Sequence, residues 1–159
     1  LMNRNHDYPQ IASHSGIWEI PLYVFIVPPD NECENYGVPS GLRNKLKKRD
    51  DKFDVKSGKI SGLDYNLWVI YDMTKDEFLA TVKYSFDKHF YGNRAPFTLG
   101  LHPFLYHPES WSQDHITASN SDDRKLALKE LVEHFLSIPQ VRLVSSIELI
   151  NWLEQPEGL

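Results

Sequence analysis

Asn93-Arg94-Ala95-Pro96-Phe97-Thr98-Leu99-Gly100-Leu101-His102-Pro103-Phe104 is the stretch on which the reading of this chain turns. Phe97, Leu99 and Leu101 alternate with Thr98 and Gly100, the period-2 pattern of a short buried strand. Pro103 has no N–H for a sheet ladder, so the strand is expected to stop there or lie at an edge. His102 thus falls at the carboxyl end of a core strand, where open α/β sheets place their ligands. A strand-end imidazole has two readings: a structural hydrogen-bonding residue, or a catalytic acid or base that titrates near neutral pH.

Upstream of this stretch, Thr74-Lys75-Asp76-Glu77 has the spacing of a capping box and opens a helix running to about Tyr91. Phe78, Leu79, Val82, Phe86 and Phe90 form its apolar face, and Gly92-Asn93 ends it. Downstream, a polar loop over 107–120 precedes a second helix that begins near Ser121-Asp122 and stops at Pro139. Leu128, Leu131, Val132 and Phe135 are its expected buried face. Val141–Val144 reads as a strand, and Ser145-Ser146-Ile147-Glu148 as a second capping box opening a last helix that Pro156 stops. Two further apolar runs, Ile17–Val27 and Leu67–Tyr71, read as strands. The alternation of strand and helix predicts an α/β fold with parallel strands and right-handed crossovers. Residues 31–66 carry turn signals and one short helix, Leu42–Arg49, and read as a long irregular insertion.

Composition sets bounds. At 159 residues, 41% hydrophobic and 25% charged, the chain suits one folded domain over 1–159. A net charge of −5 speaks against nucleic-acid and anionic-membrane partners, both of which need a basic face. The basic run Arg43–Arg49 is followed at once by Asp50 and Asp51 and reads as a solvated helix face. Cys33 is the only cysteine; its acidic neighbours Glu32 and Glu34 do not favour a thiolate. No apolar run approaches the roughly 20 residues of a membrane helix, and Leu1–Gln10 lacks the apolar centre of a signal peptide. Leu1 in place of a methionine is read as the mark of a fragment or processed product.

Asn93-Arg94-Ala95-Pro96-Phe97 followed by Leu99-Gly100-Leu101-His102 resembles the last motif of the polysaccharide deacetylases (carbohydrate esterase family 4, the NodB-homology domain), in its chitin-deacetylase-like branch. Gly16-Ile17-Trp18-Glu19-Ile20-Pro21, the segment Asp76–His89 and the segment Val141–Leu153 fit the same branch in the same order. The resemblance implies the C-terminal portion of a distorted (β/α) barrel. It also implies hydrolysis of the acetamide of N-acetylglucosamine polymers such as chitin or peptidoglycan, in a secreted, periplasmic or cell-wall setting. By position, His102 becomes the acid that protonates the leaving amine. Leu99 and Leu101 border the pocket for the acetyl methyl, and Trp18 belongs to the substrate-binding edge. On general grounds Trp18 is equally suited to core packing, and Glu19 either faces solvent or joins a polar site.

The departures are as telling. The family's Asp-Asp-Gly, His-x-x-x-His and Arg-x-Pro-Tyr motifs do not occur here. The divalent metal that the family uses, zinc by expectation, therefore belongs to the complete domain, and none is expected on this chain alone. The implied partners are the polysaccharide and either the missing N-terminal part of the domain or a second copy. His107, Asp114 and His115 are a weaker metal candidate, lacking an evident third ligand geometry. His89 and His134 are expected on polar helix faces, and Trp68, Trp111 and Trp152 in packing roles. The competing reading is a carbohydrate-binding or structural domain without catalysis.

Overall fold

The computed structural model describes residues 16–108 and 118–156. It divides into two compact units, one of residues 21–144 and a smaller one that includes 16–20 and 145–156.

The larger unit is organised around a helix rather than a sheet. Helix α2, Lys75–Phe90, is opened by the expected capping box: Thr74 Oγ1 accepts from the Glu77 amide at 3.3 Å, and Glu77 Oε2 accepts from the Thr74 amide at 3.0 Å. Because Phe78 through Val82 and Tyr84 through Phe86 are all buried, α2 is covered nearly all round, as a central helix must be. It packs against α3, Ser121–Leu136, and against a two-stranded ribbon, β1 (Phe25–Ile26) and β2 (Lys59–Ile60). Ser85, buried in α2, donates to the Thr81 carbonyl at 2.6 Å and accepts from the Ile26 amide at 2.7 Å, tying β1 to the helix.

The mixed helix-and-sheet class holds, but several expected strands do not form. Among the described residues the only sheet is β1–β2, and it is antiparallel, with Phe25 opposite Ile60 and Ile26 opposite Lys59. The parallel crossovers expected from the element order are thus absent among these residues. The run Leu67–Tyr71 is a π-helical turn, Asn66–Ile70. Leu67, Trp68 and Tyr71 point inward while Ile70 is exposed, a helical pattern that a five-residue apolar run cannot reveal in advance. Residues 95–101 and 141–145 carry no helical or strand assignment. No second strand lies alongside either segment among the described residues.

Residues 31–66 are not an irregular insertion. Helix α1, Leu42–Arg49, falls where expected, and Cys33, Val38, Leu42, Leu46, Phe53 and Ile60 from this segment belong to the core. Nor is the basic run only a solvated face. Arg43 donates to the carbonyl of Val27 at 2.7 Å and to those of Val55 and Lys56 at 3.0 and 2.9 Å, stapling three strands of chain together. Gly58 makes this possible: its φ is +64°, and a Cβ there would lie 2.5 Å from the Arg43 guanidinium carbon.

Helix α3 begins with a capping box built on Asn120 and Asp123. Its buried face is Arg124, Ala127, Leu131 and Phe135; Leu128 is half-buried, and Val132 is 43% exposed instead of buried. Arg124 sets this phase, because its guanidinium must face inward to reach the carbonyls of Leu105 and Ser119 at 3.1 and 3.0 Å. In the smaller unit, helix α4, Ser146–Glu154, opens with the expected Ser145–Glu148 capping box, yet none of its residues is buried. Trp152 is half-exposed there, against the packing role expected of it.

Candidate functional site

Residues around His102 form a polar site inside the larger unit. Pro103–Tyr106 is a single 3₁₀ turn, which fits a proline at its first position. The turn lifts His102 to its N-terminal flank and carries Tyr106 back underneath. Opposite lies Asp64, immediately before the π-helical turn and entirely buried. The two segments are held in register by the Asp64 amide donating to the Gly100 carbonyl at 3.3 Å. A Cβ on Gly100 would sit 2.1 Å from a methyl of Leu63, so a larger residue there would require that side chain to move.

A buried carboxylate is tolerated only when its lone pairs are filled. Asp64 Oδ1 lies 2.6 Å from His102 Nδ1, while the His102 amide reaches Oδ1 and Oδ2 at 3.1 and 3.0 Å. Tyr106 donates its hydroxyl to Oδ2 at 2.8 Å, and the Trp68 indole N–H donates to the Tyr106 oxygen at 3.2 Å. Because an ionised carboxylate only accepts, Nδ1 carries the ring's proton toward Asp64 and Nε2 is left for other work. The His102 side chain is 32% exposed, so the open end of the dyad reaches solvent while its anchor does not. Tyr65 and Phe104 flank the imidazole at ring-centroid distances of 6.0 and 5.6 Å. Arg124, wholly buried, places its guanidinium carbon 5.6 Å from the centre of the Trp68 ring and supplies positive charge near Asp64. Burial pushes the Tyr106 phenol well above its ordinary range and pulls Arg124 down.

Of the residues expected at the site, His102 lies at its centre. Leu99 is half-buried against the core and Leu101 is 40% exposed beside the histidine. Trp18 belongs to the smaller unit, where it is 48% exposed and so not a core residue; Glu19 is solvent-facing. Asp64, Tyr106 and Arg124 escape a reading of local pattern. The one signal for Asp64 is an acidic residue three positions ahead of the apolar run Leu67–Tyr71, and nothing in that run names a partner 38 residues away.

The other candidates do less. His89 is not on a polar face: Tyr23 and Phe97 pack on its ring at 4.4 and 5.4 Å, its Nδ1 is buried without a hydrogen bond, and burial lowers its pKa. His134 is likewise half-buried and its pKa is lowered, first by burial and then by Lys83. Cys33 is a core residue whose thiol is pushed up by burial, the opposite of an activated nucleophile. Asp114, His115 and Trp111 lie outside the described residues, as does the lead-in over 1–15. Among the described residues no group of three His, Cys, Asp or Glu side chains is placed to hold a metal ion, and no helix is long and apolar enough to cross a membrane. Comparison with family models, with curated proteins and with solved structures finds no match.

Proposed function

We propose that this chain carries the acid–base half of a hydrolase acting on an acetamide, of the polysaccharide deacetylase type, with His102 as the proton donor. The observation that carries the reading is the 2.6 Å contact between His102 Nδ1 and the buried Asp64. An amine leaves a tetrahedral intermediate badly unless it receives a proton, and an imidazolium near neutral pH is suited to give one. Asp64 holds the ring by Nδ1, so the transferable proton sits on the solvent-facing Nε2. As Nε2–H is lost to the departing nitrogen, the hydrogen bonds that Asp64 accepts from the Nδ1 and amide N–H groups of His102 keep the imidazole in place for the next turnover.

Under this reading the described residues are part of a larger (β/α)-barrel-type site. Leu99 and Leu101 border the acetyl methyl, Trp18 meets the glycan, and the substrate is an N-acetylglucosamine polymer such as chitin or peptidoglycan. A divalent metal such as zinc would supply the polarised water. The described residues do not offer it a ligand set. The reading therefore requires metal ligands outside them, either earlier in the same domain or on a second copy.

Replacing His102 by Asn in the intact protein keeps a polar group but removes the acid. It should lower kcat by about 10²–10⁴ and leave KM nearly unchanged. Unaltered kcat for acetate release from N-acetylglucosamine oligomers would remove His102 from the mechanism. A second reading, a carbohydrate-binding or structural domain, is favoured by one detail: Asp64 also binds the His102 backbone amide, as a purely structural clamp would. In that case His102→Asn lowers the melting temperature and nothing else.

A further inference from the structure

We infer that Tyr106 is a positioning residue that keeps the shared proton of the dyad on His102 instead of Asp64. The inference rests on the reading of His102 as an acid and deepens it. When the dyad carries its second proton, two arrangements have the same charge and the same atoms. In one, Asp64 is a carboxylate facing an imidazolium with N–H at both nitrogens. In the other, the proton has crossed from Nδ1 to Oδ1, and a carboxylic acid faces a neutral ring that keeps only Nε2–H. The first is an acid of useful strength; the second is not, because a neutral imidazole scarcely gives up its last proton.

Which arrangement prevails depends on how well the buried carboxylate is satisfied. Oδ2 faces away from the His102 ring, and its partners are the Tyr106 hydroxyl at 2.8 Å and the His102 amide, shared with Oδ1, at 3.0 Å. Tyr106 is thus the one side chain donating to Oδ2 among the described residues. Trp68 fixes the direction of that bond. Its indole N–H can only donate, and it occupies the Tyr106 oxygen from the far side at 3.2 Å, so the phenolic hydrogen is turned toward Asp64. The phenol also keeps its hydrogen over the accessible pH range, since burial raises its pKa. Arg124 adds positive charge from the same side of the core, while its hydrogen bonds run to the Leu105 and Ser119 carbonyls. Trp68 thus donates to Tyr106 and Tyr106 to Asp64, while His102 donates to the same carboxylate from the other end.

The test is spectroscopic and needs no turnover. In residues 1–159 with the ring of His102 protonated, the Asp64 carboxyl ¹³C shift reports whether the carboxyl is ionised, and the two imidazole ¹⁵N shifts report where the ring's protons are. The wild type should show a carboxylate facing a doubly protonated ring. Tyr106→Phe, which removes only the hydroxyl, should move the ratio of the two arrangements about fivefold toward the carboxylic acid, the worth of one hydrogen bond. Trp68→Phe, which leaves the hydroxyl but releases its orientation, should move it less and in the same direction. It also serves if Tyr106→Phe does not fold. A Tyr106→Phe protein whose Asp64 and His102 shifts match the wild type overturns the inference, and so does an unchanged Trp68→Phe if that is the variant that folds. A wild type that already shows a protonated Asp64 beside a neutral ring overturns both the inference and the acid role of His102.

Discussion

Helices α2 and α3 and the extended segments 95–101 and 141–145 were each expected as regular elements and met different ends. The helices begin at capping boxes with the hydrogen bonds those residues can make, and they bury a continuous face. The segment 95–101 alternates in sequence, 141–145 does not, and neither has a ladder among the described residues. The amides of Phe97, Thr98, Leu99 and Leu101 donate no hydrogen bond among the described residues. The Thr98 side chain reaches the Pro21 carbonyl at 2.7 Å, and the Gly100 carbonyl accepts from Asp64. A helix closes its bonds within four residues, whereas a strand depends on a neighbour that its own sequence does not specify.

Amide exchange should separate the two regions most widely. The central amides of α2, over 80–85, should be protected by about three orders of magnitude or more, while those of Thr98, Leu99 and Leu101 should exchange near the unprotected rate. Protection of the 97–101 amides comparable to α2 would mean that they are paired after all, and the distinction between the regions would collapse.

The next effect concerns what joins them. Arg124 ties α3 to the turn beneath His102, and it is buried with its charge. Arg124→Met should cost about 3–5 kcal/mol in urea unfolding, the penalty for breaking a buried charged network. A loss under 1 kcal/mol would show that the aliphatic stem and the Trp68 contact suffice.

Capping sharpens the contrast within the helices. Thr74→Ala removes a cap from a buried helix and should cost about 1 kcal/mol. Ser145→Ala removes an equivalent cap from α4, which buries nothing, and should leave the main unfolding transition within about 0.5 kcal/mol. Equal losses would indicate that α4 unfolds together with the larger unit.

The smallest effect is in the pH dependence. His89 and His134 have pKa values lowered by burial, so the unfolded chain binds protons there more readily than the folded one. Their neutral forms are compatible with full stability above the unfolded histidine value of about 6.5. As pH falls below it toward the lowered folded values, stability should decline. His89→Phe keeps a ring against Tyr23 and Phe97 and removes a buried nitrogen without a partner. It should raise the melting temperature and flatten the slope below about pH 6.5. An unchanged slope would assign the acid sensitivity to other groups.

Among the described residues, the sequence by itself located three of the four α-helices to within a residue or two, and the fourth, α3, at its start. It identified both Ser/Thr capping boxes and singled out His102 as a candidate residue. Those features are local: side chains three or four apart on one turn, or a proline that halts a segment. Only the tertiary structure decided that 67–71 coils instead of extending, that 31–66 builds core, that His89 is packed between aromatic rings, and that Arg124 faces inward. It alone supplied Asp64 as the partner of His102, 38 residues away. Alternation states which side of a segment is apolar, but burial of a charge is settled by what arrives opposite it. For Asp64, that is an imidazole and a phenol from one turn and an arginine from helix α3, two other segments of the chain.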